Sequence, residues 1–205
     1  WCFFFLIRLK SKMNSKIRNS NTRSLVITAL LMAITLLSKL IFNWIPIING
    51  YGIEMYLIFY VYGLILIKDI KYQITFGIIT PWFLLVVPPI IANGLDLLFE
   101  YILPLYIFLP FIAFSKFIDY SNQWKKNKKV IITVQILIFS FCFIIGILIK
   151  LLVHTLAGYW WWTPGHLSGS FIFNMPIYLI TLAIDLPIGI IVYIPLMKLR
   201  ESILS

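Results

Sequence analysis

Ionisable and aromatic residues interrupt an otherwise apolar chain between Lys150 and Asn174, where the sequence reads KLLVHTLAGYWWWTPGHLSGSFIFN. Lys150 and His154 are four residues apart, so they share one face of a helix. Ionisable side chains at membrane depth are costly and indicate a functional site by default. The alternative is that Lys150 snorkels to a membrane interface and that Tyr159 to Trp162 form a belt of interfacial aromatics.

Glu100 is a single carboxyl near the start of another apolar run. A buried carboxylate must be paired or must change its protonation state, and Lys150 is its predicted partner. One interpretation is an ion pair that holds two helices together. The other is that Glu100, His154, Trp162 and Asn174 line one cavity. A few polar groups among aromatic walls, with indole faces that attract cations, would suit a cationic aromatic ligand.

Composition sets the class of protein. Of the 205 residues, 61% are hydrophobic and 12% are charged, and the mean hydropathy is +0.98, whereas soluble domains are about 45 to 50% apolar. The net charge of +10 comes from short basic clusters between apolar runs, which is typical of membrane topology and not of nucleic-acid binding. Cys2 and Cys142 lie in apolar surroundings and indicate neither a disulfide framework nor a metal site.

The apolar runs predict an all-α membrane protein made of a single bundle of six transmembrane helices. Residues 1–23 form a basic N-terminal segment, in which 1–12 are expected to be an extension upstream of Met13. Residues 24–198 form the membrane domain, and 199–205 form a cytoplasmic tail. The six predicted spans cover about 24–44, 53–67, 72–87, 97–118, 130–155 and 171–197.

Lysine and arginine placement predicts the orientation of these spans. Basic residues occur before the first span, between the second and third, between the fourth and fifth, and after the sixth, where Lys198 and Arg200 lie. By the positive-inside rule, both termini are expected to be cytoplasmic. The loops IPIINGYG, PPIIANGLD and Gly158 to Ser170 contain no Lys or Arg. These three loops are therefore expected to face outside and to converge.

Several fragments resemble the S components of energy-coupling factor vitamin transporters, in particular the thiamine-binding kind. The family's pattern at the end of its fifth helix is similar to Lys150-x-x-x-His154-x-x-Ala157-Gly158-x-x-x-Trp162. Glu100-Tyr101 resembles the start of its fourth helix, and Ser170-x-x-x-Asn174 the start of its sixth. The remaining matches are Trp82 in the third span and the small-residue pair Ala29-x-x-x-Ala33 in the first, which resembles the motif that packs on the coupling subunit.

The sequence departs from the family at two places. Gly169 stands where the family has a pocket tyrosine five residues before the asparagine. No tryptophan clearly occupies the family's position in the first loop, where the candidates for a substitute are Trp44, Tyr51 and Ile53. The type of pocket is expected to be the same, with the choice of vitamin less closely defined.

The resemblance implies a substrate-binding subunit of a bacterial cell membrane with no catalytic residues and no cofactor or metal. It would take thiamine or a related small cationic vitamin from outside, and would assemble with a transmembrane coupling subunit and two cytoplasmic ATPases. Energy would come from those partners, because the chain has no G-x-x-x-x-G-K-[ST] phosphate loop. The implied ligand contacts are Trp82, Glu100, Tyr101, His154, Trp162 and Asn174, with Lys150 adjusting Glu100.

Other functions remain open at this point. An S component for riboflavin or a pyrimidine precursor would use a similar fold. An intramembrane enzyme would use Glu100, His154, His166 and Asp185 as metal ligands or as acid and base, but neither H-E-x-x-H nor G-x-S-x-G occurs. A purely structural membrane subunit is a third possibility. Asp185, beside Pro187 in the sixth span, is expected to make a helix contact or a polar bond to a neighbouring span.

Overall fold

The chain folds into helices separated by short connections. The computed structural model describes the backbone of residues 2–42, 46–48, 51–52, 54–86 and 94–203, and the side chains of 21–42, 54–86 and 94–202. Two short antiparallel strands, β1 (Pro46–Ile48) and β2 (Tyr51–Gly52), pair between the first two helices. The helices are α1 (Cys2–Phe42), α2 (Tyr56–Leu66), α3 (Ile70–Phe83), α4 (Gly94–Leu97), α5 (Leu103–Tyr106), α6 (Phe111–Ser121), α7 (Lys128–Ala157) and α8 (Leu167–Ile203).

The all-α membrane class is confirmed. Within the described residues, four helical stretches are long and apolar enough to cross a bilayer, which takes about 20 residues. Two shorter apolar stretches, Tyr56–Leu66 and Ile70–Val86, lie between the first and second of them. The count of six spans and the cytoplasmic termini stay predictions. The four long stretches are Asn21–Phe42, Gly94–Ser121, Lys128–Trp162 and Leu167–Ser202.

Each predicted span coincides with a helical stretch of the described residues, and two prolines lie where new helices begin within the fourth predicted span. The stretch Gly94–Ser121 is divided into α4, a π-helical turn at Leu98–Ile102, α5 and α6. Pro104 lies in the first turn of α5, and Pro110 is the N-cap residue of α6, positions where a missing N–H costs little. The last helix, α8, instead continues through Pro176, Pro187 and Pro195.

The short helix α2 lies at the centre of the fold, and nine of its residues are buried. It packs against α1, α3, α6 and α8. Its tyrosines bond to backbone carbonyls of two neighbours: Tyr60 donates to Gly77 at 2.8 Å and Tyr62 to Gly189 at 2.5 Å. Gly63 gives room for the Phe76 ring, whose nearest atom would be 2.2 Å from a Cβ at that position. Small residues thus allow α2 to approach α3 closely, as expected for helices in lipid.

Helices α7 and α8 pack against each other along their length and run antiparallel. Near the end of α7, Ser170 donates a hydrogen bond to the carbonyl of Thr155 at 2.7 Å. Near its start, Tyr193 donates to Gln135 at 3.2 Å. This pairing sets the polar residues at the end of α7 beside those at the start of α8, where the candidate site lies.

Arg200 is part of the packed interior, although the sequence predicted it as a charge following the last span. It lies in α8 and is 2% exposed. Its two terminal nitrogens donate to the carboxylate of Asp119 at 2.5 and 2.9 Å, and its Nε donates to the carbonyl of Ile65 at 3.0 Å. A further bond reaches the hydroxyl of Ser115 at 3.0 Å. One guanidinium therefore joins α2, α6 and α8.

We expect Arg200→Met to destabilise the protein by about 2 kcal/mol or more, because hydrogen bonds to charged groups are each worth roughly 1.5 to 3 kcal/mol. Arg200→Lys should recover little, since an ammonium lacks the fork that fits a carboxylate and a carbonyl together. Thermal unfolding in detergent measures the effect, with the exposed Arg23→Met as control. An unchanged melting temperature for Arg200→Met would contradict this structural role.

Candidate functional site

Lys150 forms an ion pair with Glu54, so the predicted pairing of Lys150 with Glu100 is wrong. Lys150 Nζ lies 2.5 Å from Glu54 Oε2, and the two side chains are 1% and 17% exposed. Glu54 comes directly before α2 and also accepts a hydrogen bond from the Tyr56 hydroxyl at 3.1 Å. The carboxylate that pairs with Lys150 therefore comes from the segment that enters α2, and not from the fourth predicted span, where Glu100 lies.

Aromatic rings surround this ion pair. Lys150 Nζ lies 5.4 Å from the ring centroid of Tyr178 and 5.7 Å from that of Tyr56. Lys39 Nζ, from α1, lies 5.7 Å from the same Tyr56 ring and 5.6 Å from that of Tyr101. Tyrosine faces attract cations, so the Tyr56 ring contributes to the surroundings of both lysines, which are within electrostatic range of each other. Lys39 also donates to the carbonyl of Leu84 at 2.7 Å.

Asp185 adds a second buried carboxylate beside the pair. It is 0% exposed, and neither of its oxygens has a hydrogen-bond partner among the described residues. It lies within electrostatic range of both Glu54 and Lys150. The expected bond from Asp185 to a neighbouring span is therefore not among the contacts of the described residues. We call Lys39, Glu54, Lys150 and Asp185 the Lys150 cluster.

A second group of polar residues lies at the end of α7, where three segments meet. Trp162 Nε1 donates to Asp96 Oδ1 at 3.2 Å and is also in reach of the Glu100 carboxylate. The His154 ring approaches the backbone of Glu100 and meets the Tyr178 ring edge-on at 5.3 Å. We call this group the α7-end cluster; its members are Asp96, Glu100, His154, Trp162 and Asn174.

Asn174 and Gly158 hold the start of α8 against the end of α7. The Asn174 amide donates to the carbonyl of Ser170 at 3.0 Å and to that of His154 at 3.5 Å. A Cβ at Gly158 would lie 2.1 Å from the Ser170 hydroxyl oxygen, so the glycine permits this close approach. A π-helical turn, Gly158–Trp162, then follows. The Ala157-Gly158 element of the sequence thus has a packing role that sets the position of Trp162.

The structure brings most of the predicted site residues together, with one clear exception. Glu100, His154, Trp162 and Asn174 lie in the α7-end cluster, while Lys150 and Tyr101 lie at the Lys150 cluster. Trp82 is 52% exposed and donates to the Tyr106 hydroxyl at 3.0 Å, so its place in the site stays a prediction. The side chains of Trp44, Tyr51 and Ile53 lie outside the described residues.

Sequence reasoning missed Lys39, Glu54 and Asp96. Glu54 is a lone acid at the start of the second apolar run, which is the same signal that identified Glu100 in the fourth. Lys39 is a lone cation inside the first run, and Asp96 ends the loop PPIIANGLD. Ionisable groups in apolar runs are informative wherever they occur. Applied uniformly, that rule would have found the first two.

The two clusters are acidic in a chain that is otherwise strongly basic. They contain four of the seven acidic residues and two of the seventeen Lys and Arg residues. Electrostatic coupling joins them, because Glu100 is in range of Glu54, and Glu54 is in range of His154. Carboxyl groups outnumber lysines by four to two, although Asp185, which is buried and has no hydrogen-bond partner among the described residues, adds to the negative charge only when it is ionised. This arrangement can attract and hold a cation, and its indole and phenol rings offer faces for a flat one.

Neither a metal-ligand group among the described residues nor a known relative assigns a role to the two clusters. Among the described residues, no group of three His, Cys, Asp or Glu side chains is placed to hold a metal ion. No family model, curated protein or solved structure matches the chain.

We expect Lys150→Met to be strongly destabilising, because removing one member of a buried ion pair leaves the other charge uncompensated at a cost of about 3 to 5 kcal/mol. The double variant Lys150→Met/Glu54→Gln should recover most of that loss, since it removes both charges. Thermal unfolding in detergent gives the comparison, with the exposed Lys71→Met as control. A double variant no more stable than Lys150→Met would show that the pair is not the relevant interaction.

Proposed function

We propose that this protein is the substrate-binding subunit of a vitamin transporter of the energy-coupling factor kind, and that it captures thiamine from outside the cell. The main observation behind this proposal is that carboxyl groups outnumber lysines near the paired ends of α7 and α8, where they lie among aromatic rings. Thiamine is a delocalised cation with an exocyclic amine. A carboxylate matches the amine, and an indole face matches the cation.

The proposed roles of individual residues are those that the family resemblance implies, and the positions of the residues are compatible with them. Glu100 accepts hydrogen bonds from the aminopyrimidine, and Asn174 assists it. Trp162 and His154 flank the thiazolium ring; Nε2 of His154 is buried and has no partner among the described residues, so it is available to a ligand. Tyr101, over Lys39, contributes to the wall.

Lys150 and Glu54 support this site without carrying the ligand themselves. Their ion pair fixes the start of α2 against α7 at a point one turn from His154. Because Lys150 is neutralised within its own pair, it does not offset the charge of the carboxylates in the α7-end cluster. Lys150 thus acts on the site through Glu54 and not, as the sequence suggested, through Glu100.

The second candidate is an S component for another vitamin. Riboflavin and neutral pyrimidine precursors would gain from the aromatic rings but not from the surplus of carboxyl groups. The observed charge balance therefore favours a cationic vitamin over these. An intramembrane enzyme is a weaker candidate, because its motifs are missing from the sequence and His166 lies in an exposed loop position.

Transport would require a coupling subunit and two ATPases, and α1 offers a surface for the first. Ala29 and Ala33 are both exposed, whereas Thr28, Thr35 and Ser38 of the same helix are buried. The small-residue face of α1 thus points away from the other described helices. Small side chains allow close helix packing in lipid, which supports docking of a partner helix here.

Glu100→Gln and Trp162→Ala should each weaken thiamine binding by an order of magnitude or more. A charge-assisted hydrogen bond is worth roughly 1.5 to 3 kcal/mol, and a cation-π contact about 2 kcal/mol once the ligand covers the Trp162 ring, which is 42% exposed without it. Isothermal titration calorimetry on detergent-purified protein measures both. Glu201→Gln, which removes an exposed acid elsewhere, and Trp160→Ala, in the same π-helical turn, are the matched controls. Unchanged affinity in folded Glu100→Gln and Trp162→Ala would discard this site.

Ala29→Leu/Ala33→Leu should leave thiamine binding to the isolated protein intact and abolish assembly with the coupling subunit, and with it uptake into cells. Bulky side chains would hold the partner helix away. The control Ala113→Leu/Ala183→Leu enlarges two exposed alanines on α6 and α8 and should do neither. Loss of binding in detergent would show that the α1 face is internal, and normal uptake would show that the partner docks elsewhere.

A further inference from the structure

A cavity of about 260 Å³ lies at the opposite end of the α7–α8 pair from the two clusters. It is formed by the connection between α6 and α7, the first turns of α7 and the last turns of α8. His154 follows Lys128 by 26 residues, a rise of roughly 39 Å along the helix, which exceeds the hydrocarbon thickness of about 30 Å. The cavity and the α7-end cluster therefore belong to opposite faces of the membrane.

The cavity has a basic rim and an apolar wall. Lys126, Lys128 and Lys198 line it, together with one acid, Glu201. The three lysines are exposed and take part in neither of the ion pairs found among the described residues. Lys126 Nζ lies 5.5 Å from the ring centroid of Trp124, so an indole lies beside the charge. The lining therefore has a net positive charge, and its lysines are available to bind an anion.

Below the rim, the wall is apolar and its polar part is already bonded. Ile131, Ile194 and Met197 line the cavity. Gln135, a buried polar side chain of the lining, donates to Ser121 at 2.7 Å and to Asn122 at 3.0 Å, and it accepts from Tyr193 at 3.2 Å. Because these groups already form hydrogen bonds with one another, a ligand does not have to supply hydrogen-bond partners for them. An occupant must therefore combine an anionic head with an apolar body.

We propose that this cavity binds the headgroup of an anionic phospholipid, with the phosphate on Lys126, Lys128 and Lys198 and an acyl chain along the isoleucine and methionine wall. Basic pockets between transmembrane helices bind anionic headgroups, and each lysine near the surface adds roughly 1 kcal/mol of attraction to anionic lipid. Trp124 lies where an interfacial aromatic is expected. The proposal does not depend on the identity of the transported vitamin.

A soluble phosphate compound shares the charge of a headgroup, and the apolar wall distinguishes the two. A free phosphate would use the lysines alone, whereas a lipid would use the lysines and the wall together. General attraction between the basic loop and an anionic membrane is a further possibility, but it would involve Lys125 and Lys129 as much as the lysines of the cavity. The experiment therefore tests an anionic lipid, a neutral lipid and inorganic phosphate separately.

The test is a native mass spectrometry titration of the full chain in detergent with phosphatidylglycerol, phosphatidylcholine or inorganic phosphate as the probe. We expect phosphatidylglycerol to bind more tightly than phosphatidylcholine, and inorganic phosphate not to displace it. Lys126→Gln/Lys128→Gln/Lys198→Gln should weaken phosphatidylglycerol binding by about tenfold or more. The control Lys71→Gln/Lys125→Gln/Lys129→Gln removes the same charge outside the cavity and should have little effect. Met197→Ala, which shortens the wall, should also weaken binding.

Three results would overturn the proposal. Equal losses in the two lysine variants would assign the effect to general electrostatics. Displacement by inorganic phosphate, with no effect of Met197→Ala, would assign the cavity to a soluble anion. Equal binding of phosphatidylglycerol and phosphatidylcholine would remove the role of the lysines.

Discussion

The ion pair between Lys150 and Glu54 is the constraint on which the site depends. Both groups are largely removed from solvent, and an unpaired charge there would cost several kcal/mol. Lys150 lies in α7 and Glu54 precedes α2, so satisfying the pair fixes the short central helix against the long one. The Tyr56 and Tyr178 rings around Lys150 Nζ complete its surroundings. The His154 ring, one turn further along α7, is held against Tyr178 as a consequence.

The two ends of the α7–α8 pair differ in the charge and type of the side chains that lie there. At one end, carboxyl groups outnumber lysines, and rings from several segments converge. At the other, lysines line an apolar cavity, and Arg200 is fully engaged by Asp119, Ser115 and Ile65. The pair of long helices therefore has a basic end and an acidic, aromatic end, so its two ends are chemically distinct. The cytoplasmic placement of the lysine-lined end stays a prediction.

The sequence predicted the helical stretches well because each apolar run is long and ends at polar residues, so burial in lipid leaves little choice. It also identified four of the five residues of the α7-end cluster, namely Glu100, His154, Trp162 and Asn174. It did not identify the partner of Lys150, because pairing across a bundle depends on which helix is central, and the position of α2 follows from packing of Gly63 and Gly77 against neighbouring side chains. The burial of Arg200 escaped prediction for the same reason: a terminal arginine looks identical whether it meets water or Asp119.

The most direct test of the account is the identity of the small molecule that co-purifies with the protein in detergent, determined by mass spectrometry after denaturation. A site with more carboxyl groups than lysines among aromatic rings should retain a flat organic cation, and the result we predict is thiamine. Recovery of a neutral or anionic vitamin instead would contradict the charge argument on which the proposed function rests.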